Sequence, residues 1–323
     1  MNKLLGTVLT SALTISLLAG CGTSTSNKKK VGIIQFMDHT SLNEIKDSFD
    51  KEMKTLGYDD KNIEYTFKNG QGDTNTCASI ANDFSSKNFD CVMAIATPAA
   101  QAVAKLATKT PVVFSAVTDP VGAQLTSSLS KPDKNITGTS DEVQVDQIID
   151  KALEINPNTK TIGMLYNKGE ANSVTNIKKA KAYCAEKNIK VEEATIASVN
   201  EAQSAVNVLN SKCDAIFAPN DNTVASAMNV VSDACKKANK PLYVGADSMV
   251  KDGGFLSVGI DYKELGKETA KIVDKVLKGN KVENIPVKVF KTNLKIYVNT
   301  TTKDKLGIKL PENITSDSKY TEI

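Results

Sequence analysis

The 323-residue chain has no tryptophan and no arginine, so all 40 of its basic residues are lysine. Without a guanidinium fork, a bound carboxylate must be held by backbone N–H groups, hydroxyls or a lysine ammonium. Without indole, any stacking surface has to come from the 9 phenylalanines and 8 tyrosines. Histidine is nearly absent as well: His39 stands alone. One histidine leaves few general bases and argues against a metal centre. The net charge of +3 is close to balance, which points to no polyanionic partner and to no nucleic acid. The six cysteines show no CxxC spacing, and GxSxG, HExxH and Walker patterns are missing. No catalytic constellation, cofactor or metal is therefore expected, and the chain does not read as an enzyme.

What is present begins at the N-terminus. Lys3 precedes a short apolar run from Leu4 that closes on Leu18-Ala19-Gly20-Cys21. The run is shorter than the roughly 20 apolar residues that a bilayer core requires, and it carries several Ser and Thr. Residues 1–20 thus read as a secretory signal peptide. Leu-Ala-Gly-Cys resembles a bacterial lipobox. That resemblance implies cleavage before Cys21, a diacylglycerol (palmitate) anchor on its thiol, and a place on the outer face of the cytoplasmic membrane, at a Gram-positive cell surface. Two acyl chains hold a protein stably where one does not. Residues 21–30 contain no large apolar side chain and read as a flexible tether. The five cysteines that remain, Cys77, Cys91, Cys184, Cys213 and Cys235, are an odd number set mostly in apolar patterns, which favours buried free thiols.

From residue 31 the chain alternates. Buried-strand runs start at Val31, Ile63, Cys91 and Val112, separated by helical stretches, and this order predicts a parallel sheet. Ser41 and Glu44 have capping-box spacing at the first helix, and Gly57 is placed to end it. A second series opens at residue 160, and the segment from Asp90 lines up with that from Asp214: strand, turn, helix, Pro-led strand, then a turn ending on Asp. Two copies of one architecture explain this order. The expected organisation is α/β, with two Rossmann-like lobes joined by a multi-strand hinge. One lobe takes residues 31–138 and about 261–286, the other residues 139–260 and about 287–323.

In parallel α/β sheets, ligands sit beyond the carboxyl ends of strands. That rule nominates Gln35, Phe36 and His39; Thr97, Pro98 and Ala99; and Thr118 with Asp119. In the second half it nominates Tyr166, Asn167, Glu170, Asn172 and Ser173; the loop from Pro219 to Thr223, with Asn220, Asp221 and Asn222; and Asp247. Thr97 followed by Pro98 reads as an N-cap and first helical residue, which is either an anion site or a plain capped helix. Asp247 is either an ammonium partner or a turn cap. His39 reads as a surface or capping histidine. Phe36, Tyr166 and Phe217 are the aromatics placed to flank a ring, although each alone is more often core.

Several segments together resemble the ABC-transporter solute-binding lipoproteins of the tryptophan/tyrosine type: VGIIQF at Val31, AIATPAAQA at Ala94, FSAVTDPVGA at Phe114, ITGTSD at Ile136, IGMLYNKGEANS at Ile162, APNDNTVASAM at Ala218 and VGIDYKELG at Val258. The resemblance implies the type I periplasmic-binding-protein fold and a free aromatic amino acid (tyrosine, tryptophan or phenylalanine) clamped in the interlobe cleft for an ABC permease. In that setting the ligand carboxylate would meet residues 97–99 and Thr118, its ammonium would meet Asp247 or Asp141, and Ser140 would lie beside them. A surface adhesin with a host-cell target, using the outer lobe faces, is the rival expectation.

Overall fold

The computed structural model describes residues 28–292 and 294–323. The expected signal peptide, the lipidation site Cys21 and most of the tether lie outside the described residues. The first strand takes in the end of the expected tether: β1 (Lys29–Gln35) starts at Lys29, where the Lys30 N–H donates to the Asp90 carboxylate at 2.8 Å.

The chain then runs α1 (Thr40–Thr55), β2 (Ile63–Asn69), α2 (Thr74–Ser85), β3 (Cys91–Ile95), α3 (Thr97–Val103), β4 (Val112–Ser115) and β5 (Ile136–Ser140). These strands are all parallel in the order β2-β1-β3-β4-β5. Every residue of β3 and β4 is buried, the signature of strands covered by helices on both faces. At Gly138 in β5 the backbones approach so closely that any Cβ would lie 2.0 Å from the Phe114 carbonyl oxygen.

The second series repeats the first: α4 (Val145–Ile155), β6 (Thr161–Tyr166), α5 (Ala171–Glu186), β7 (Lys190–Thr195), α6 (Ala202–Asn210), β8 (Ala215–Ala218), α7 (Asn222–Ser226), α8 (Met228–Lys237), β9 (Leu242–Val244), α9 (Asp247–Lys251) and β10 (Leu256–Gly259). Its parallel strands are ordered β7-β6-β8-β9-β10, the same doubly wound pattern. The repeat extends to detail. Asp214, ahead of β8, accepts from the N–H groups of Lys160 and Thr161 as Asp90, ahead of β3, accepts from Lys30.

After β10 the chain returns: α10 (Tyr262–Leu277) packs along α1 and over β4, and β11 (Lys288–Val289) pairs with β5. It then leaves again for β12 (Lys295–Val298), antiparallel to β10, and β13 (Tyr320–Glu322). The main chain therefore passes three times between the sheets. β5 and β11 both belong to the first sheet, which puts the crossings after residues 140 and 289, slightly later than the boundaries read from sequence.

Phe49, Phe84 and Phe114 in the first lobe, and Phe217 and Phe255 in the second, are fully buried; each such side chain contributes about 2 kcal/mol of burial free energy. One apolar cluster runs from the first lobe into one face of the second sheet, and another fills that sheet's opposite face. Cys77, Cys91, Cys184, Cys213 and Cys235 are all buried and unpaired. Among the described residues no helix is long and apolar enough to cross a membrane.

Candidate ligand site between the lobes

The ends of β1, β3, β4 and β5 face the ends of β6, β8 and β9 across an enclosed cavity. From the first lobe its wall comprises His39, Ser41, Leu42, Ala96, Thr97, Ala116, Thr118, Asp141 and Tyr262. From the second it comprises Asn172, Asn220, Asn222, Ala225 and Met249. Two backbone outliers mark it. Ala96, at the end of β3, has φ 80° and ψ 153°, and Ala116, after β4, has φ 56°. An L side chain in such a region costs roughly 1–3 kcal/mol, a strain that concentrates at functional sites.

Asp141 follows β5 and is 6% exposed. Its Oδ1 accepts from Thr118 Oγ1 at 3.0 Å, and its Oδ2 accepts from Tyr262 OH and Asn220 Nδ2, both at 2.7 Å. All three donors are neutral, and no ion pair reaches this carboxylate among the described residues. Burial consequently raises its pKa above the ordinary carboxylate value, against the pull of the three donors. It also pushes the phenol of Tyr262 well up, with Asp141 adding to the effect. Beside this cluster, the buried hydroxyl of Thr97 has no partner among the described residues.

The second lobe treats its carboxylates differently. Glu170 Oε1 accepts from Thr223 N at 3.1 Å and Thr223 Oγ1 at 2.9 Å. Its Oε2 accepts from Asn222 N at 3.1 Å, Asn222 Nδ2 at 2.5 Å and Asn172 Nδ2 at 3.2 Å. Asp221 caps α7 through Val224 N at 2.8 Å and accepts from Asn167 N and Ser173 Oγ, both at 2.6 Å. Both acids are raised by burial, and each is satisfied by its own lobe. The result is a rigid loop pair that presents Asn172 and Asn222 to the cavity, with Asn172 Oδ1 left unpartnered.

Contacts across the cleft close it. Asn220 Nδ2 also donates to Thr118 Oγ1 at 2.8 Å, Ser41 Oγ and Ser248 Oγ are 2.5 Å apart, and His39 Nε2 is 3.1 Å from Asn222 Oδ1. At the rim, Lys251 Nζ donates to Glu44 Oε1 at 2.9 Å and to Asp247 Oδ2 at 2.8 Å.

Several sequence expectations change here. Ser41 and Glu44 do not form a capping box; α1 starts after His39 with no side-chain cap, because both residues are engaged by the opposite lobe. Thr97 is not an N-cap but the first helical residue of α3, after Ala96. His39 is not a surface residue, and although it stands at the N-cap position of α1 its side chain makes no cap bond: it is 9% exposed, and burial lowers its pKa to about 4, which keeps it neutral. Phe36 and Phe217 are core, and Tyr166 turns away to donate to Glu193 at 2.9 Å, so none of the three flanks the cavity. Asp247 is neutralised by Lys251 and lies off the wall, although Lys251 does not cancel the effect of burial, which pushes it up to about 6.

Of the other nominees, Thr97, Thr118, Asp141, Asn172 and Asn222 line the cavity, with Glu170, Ser173 and Asp221 packed behind. Gln35 instead donates to Met37 O and Asn43. Ser140 donates to Thr118 O at 3.1 Å, Asp119 holds the Gly122 N–H at 2.9 Å, and Asn167 donates to Thr223 at 2.9 Å. Pro98 and Ala99 are buried within α3. Sequence reading missed Ala96 and Ala116, whose strain has no sequence signal. It also missed Tyr262, which stands in a segment already singled out, DYKELG; Asn220 belongs to the nominated loop 219–223 and lines the cavity.

Two doubly wound lobes, three chain crossings and a polar cavity closed from both sides define a type I periplasmic-binding-protein fold. The pattern of ABC transporter substrate binding proteins matches residues 30–321, and the chain belongs to that family. It is 34% identical over 300 residues to a tyrosine-binding protein of Clostridioides difficile, covering 88% of this chain and 87% of that one. Among solved structures, an ABC domain from Streptococcus pneumoniae in complex with L-Trp is 38% identical, with TM-score 0.87 over 92% of this chain and all of that one (100%). A ligand-free, open substrate-binding protein with adhesive properties from Clostridium difficile is 34% identical, covering 91% of this chain and 99% of that one, yet its TM-score is 0.68. The lobes are thus arranged more nearly as in the ligand-bound relative than as in the open one.

Proposed function

We propose that this chain is the lipid-anchored, extracytoplasmic receptor of an ABC importer, without enzymatic activity, and that it captures a free aromatic amino acid by closing its lobes. The observation that carries the reading is Asp141: a buried carboxylate on the cavity wall, served only by neutral donors. A ligand ammonium supplies the missing charge. The unpartnered Thr97 hydroxyl and the start of α3 are suited to the ligand carboxylate, the arrangement available to a chain without arginine. Of the two acids expected to meet the ammonium, Asp141 is favoured, because Lys251 already occupies Asp247. Leu42, Ala225 and Met249 form apolar walls suited to a ring, Met249 through its polarisable sulfur. The tyrosine-binding and L-Trp-bound relatives support the same class of ligand.

Closure follows from contacts made to both lobes, since a ligand shifts an equilibrium only by its differential affinity. The three crossings serve as the hinge, the lobes being residues 31–141 with 261–289 and residues 142–260 with 290–323. Anchorage through Cys21 keeps the receptor beside its permease at the cell surface. Adhesion to a host surface through the outer faces is a second role, resting on the adhesive relative.

Calorimetric titration with L-tyrosine, L-tryptophan and L-phenylalanine is the direct test, with one-to-one binding of at least one expected and Asp141→Asn weakening it by roughly 30-fold or more. If none of the three produces heat or a thermal shift, the aromatic reading fails. If Asp141→Asn binds as the parent does, the ammonium assignment fails.

A further inference from the structure

The orientation of the single histidine is fixed by a chain of hydrogen bonds. Glu170 accepts on both oxygens from backbone N–H groups, Asn222 N on one and Thr223 N on the other. Asn222 Nδ2 donates to the same carboxylate at 2.5 Å, so the opposite side of that amide, facing His39, is its oxygen. An amide oxygen only accepts. His39 Nε2 must therefore carry the proton in this 3.1 Å contact. In a neutral imidazole the other nitrogen is then a bare acceptor, and His39 Nδ1 is buried with no partner among the described residues. A buried acceptor left open is costly unless something donates to it.

The sheet order sets the separation of the strand ends that carry His39 and Asp141. His39 follows β1 and Asp141 follows β5, with β3 and β4 between them. Three inter-strand spacings amount to about 14 Å. Tyrosine spans about 8 Å from its ammonium to its phenol oxygen and tryptophan about 6 Å from its ammonium to its indole N–H, and a hydrogen bond of about 2.9 Å at each end closes most of that distance. Thr97 and Thr118, after β3 and β4, stand along the way.

We infer that His39 Nδ1 is the specificity-determining acceptor of this site, receiving the phenol O–H or indole N–H of the ligand and so selecting tyrosine and tryptophan over phenylalanine. The inference rests on the proposed aromatic-amino-acid reading and deepens it. Asn222 and Glu170 act through His39 by holding its tautomer.

The test is a ratio of dissociation constants measured on the full chain by calorimetry. The parent protein should bind phenylalanine roughly 10- to 100-fold more weakly than tyrosine, and 3-benzothienylalanine, in which sulfur replaces the indole N–H, more weakly than tryptophan by a similar factor. His39→Leu should bring both ratios close to 1. His39→Gln, which keeps an acceptor, should retain part of each, and circular dichroism checks that both variants fold. Failure to bind any aromatic amino acid sinks the underlying reading. Binding with no discrimination by the parent, or an equal loss for all ligands in His39→Leu with the ratios preserved, overturns the role of His39 and leaves that reading standing.

Discussion

The two lobes share one strand order, yet they place their buried acids to opposite effect. In the first lobe Asp141 lies on the cavity wall and is stabilised only by hydroxyl and amide donors. In the second, Glu170 and Asp221 sit behind the wall and fasten a loop to the start of α7, all within their own lobe. The first arrangement leaves electrostatic demand that a cation can meet. The second leaves very little, and works instead as a scaffold for Asn172 and Asn222. Topology sets where the strand ends point, while individual side chains decide which buried acid is left without a counter-charge.

That contrast breaks most sharply if acids in both lobes behave alike when neutralised. Asp141→Asn should cut affinity for the ligand by about 2–5 kcal/mol with little loss of thermal stability, since it removes an uncompensated buried charge. Calorimetry and thermal melting of one preparation read both effects. Glu170→Ala should do the reverse in stability, lowering it by about 3 kcal/mol, because the N–H groups of Asn222 and Thr223 are left buried and unpaired. Urea unfolding measures it, and a loss as small as that of an exposed-site substitution would show that Glu170 is not the scaffold described.

The buried histidine and the buried acids should titrate in opposite senses. His39 is lowered from 6.5 to about 4, so the unfolded chain takes up its proton first. Its contribution is therefore complete above pH 6.5 and lost as pH falls toward 4. Asp247 is raised from 3.8 to about 6, so its contribution is present below pH 3.8 and lost as pH rises through 6. The other raised acids, Asp141, Glu170 and Asp221, act in the same direction as Asp247. Subtracting the stability–pH profile of His39→Gln from that of the parent isolates the histidine, and the difference should climb with pH across that window. A flat difference would mean that His39 is not held neutral by burial.

The smallest expected effect sharpens the account of strain. Ala96→Gly should stabilise the fold by about 1 kcal/mol, since φ 80° suits glycine. A melting temperature that falls instead would show that the methyl group packs better than its backbone suffers.

Much of the wall was legible before any coordinates, because the strand-end rule depends only on recognising alternating strands and helices. Thr97, Thr118, Asn172 and Asn222 all follow strands that their apolar runs reveal. The aromatics misled for a physical reason: in a sheet covered on both faces, a phenylalanine such as Phe217 packs under a helix without any change in the local pattern. Ser41 and Glu44 misled for another. Their spacing satisfies a local capping rule, yet the opposite lobe brings Ser248 and Lys251, and those contacts prevail.

Composition and periodicity by themselves determined the two-fold α/β repeat and excluded arginine from any site, while the family likeness came from the resemblance of particular segments, since each is a property of residue type and order along the chain. Only the tertiary structure decided that Asp141 lacks a cation while Asp247 has one, that His39 is buried with a bare nitrogen, and that Ala96 is strained. Asp141 meets Tyr262 121 residues further on and His39 meets Asn222 183 residues further on, and no local pattern encodes the distance between such segments.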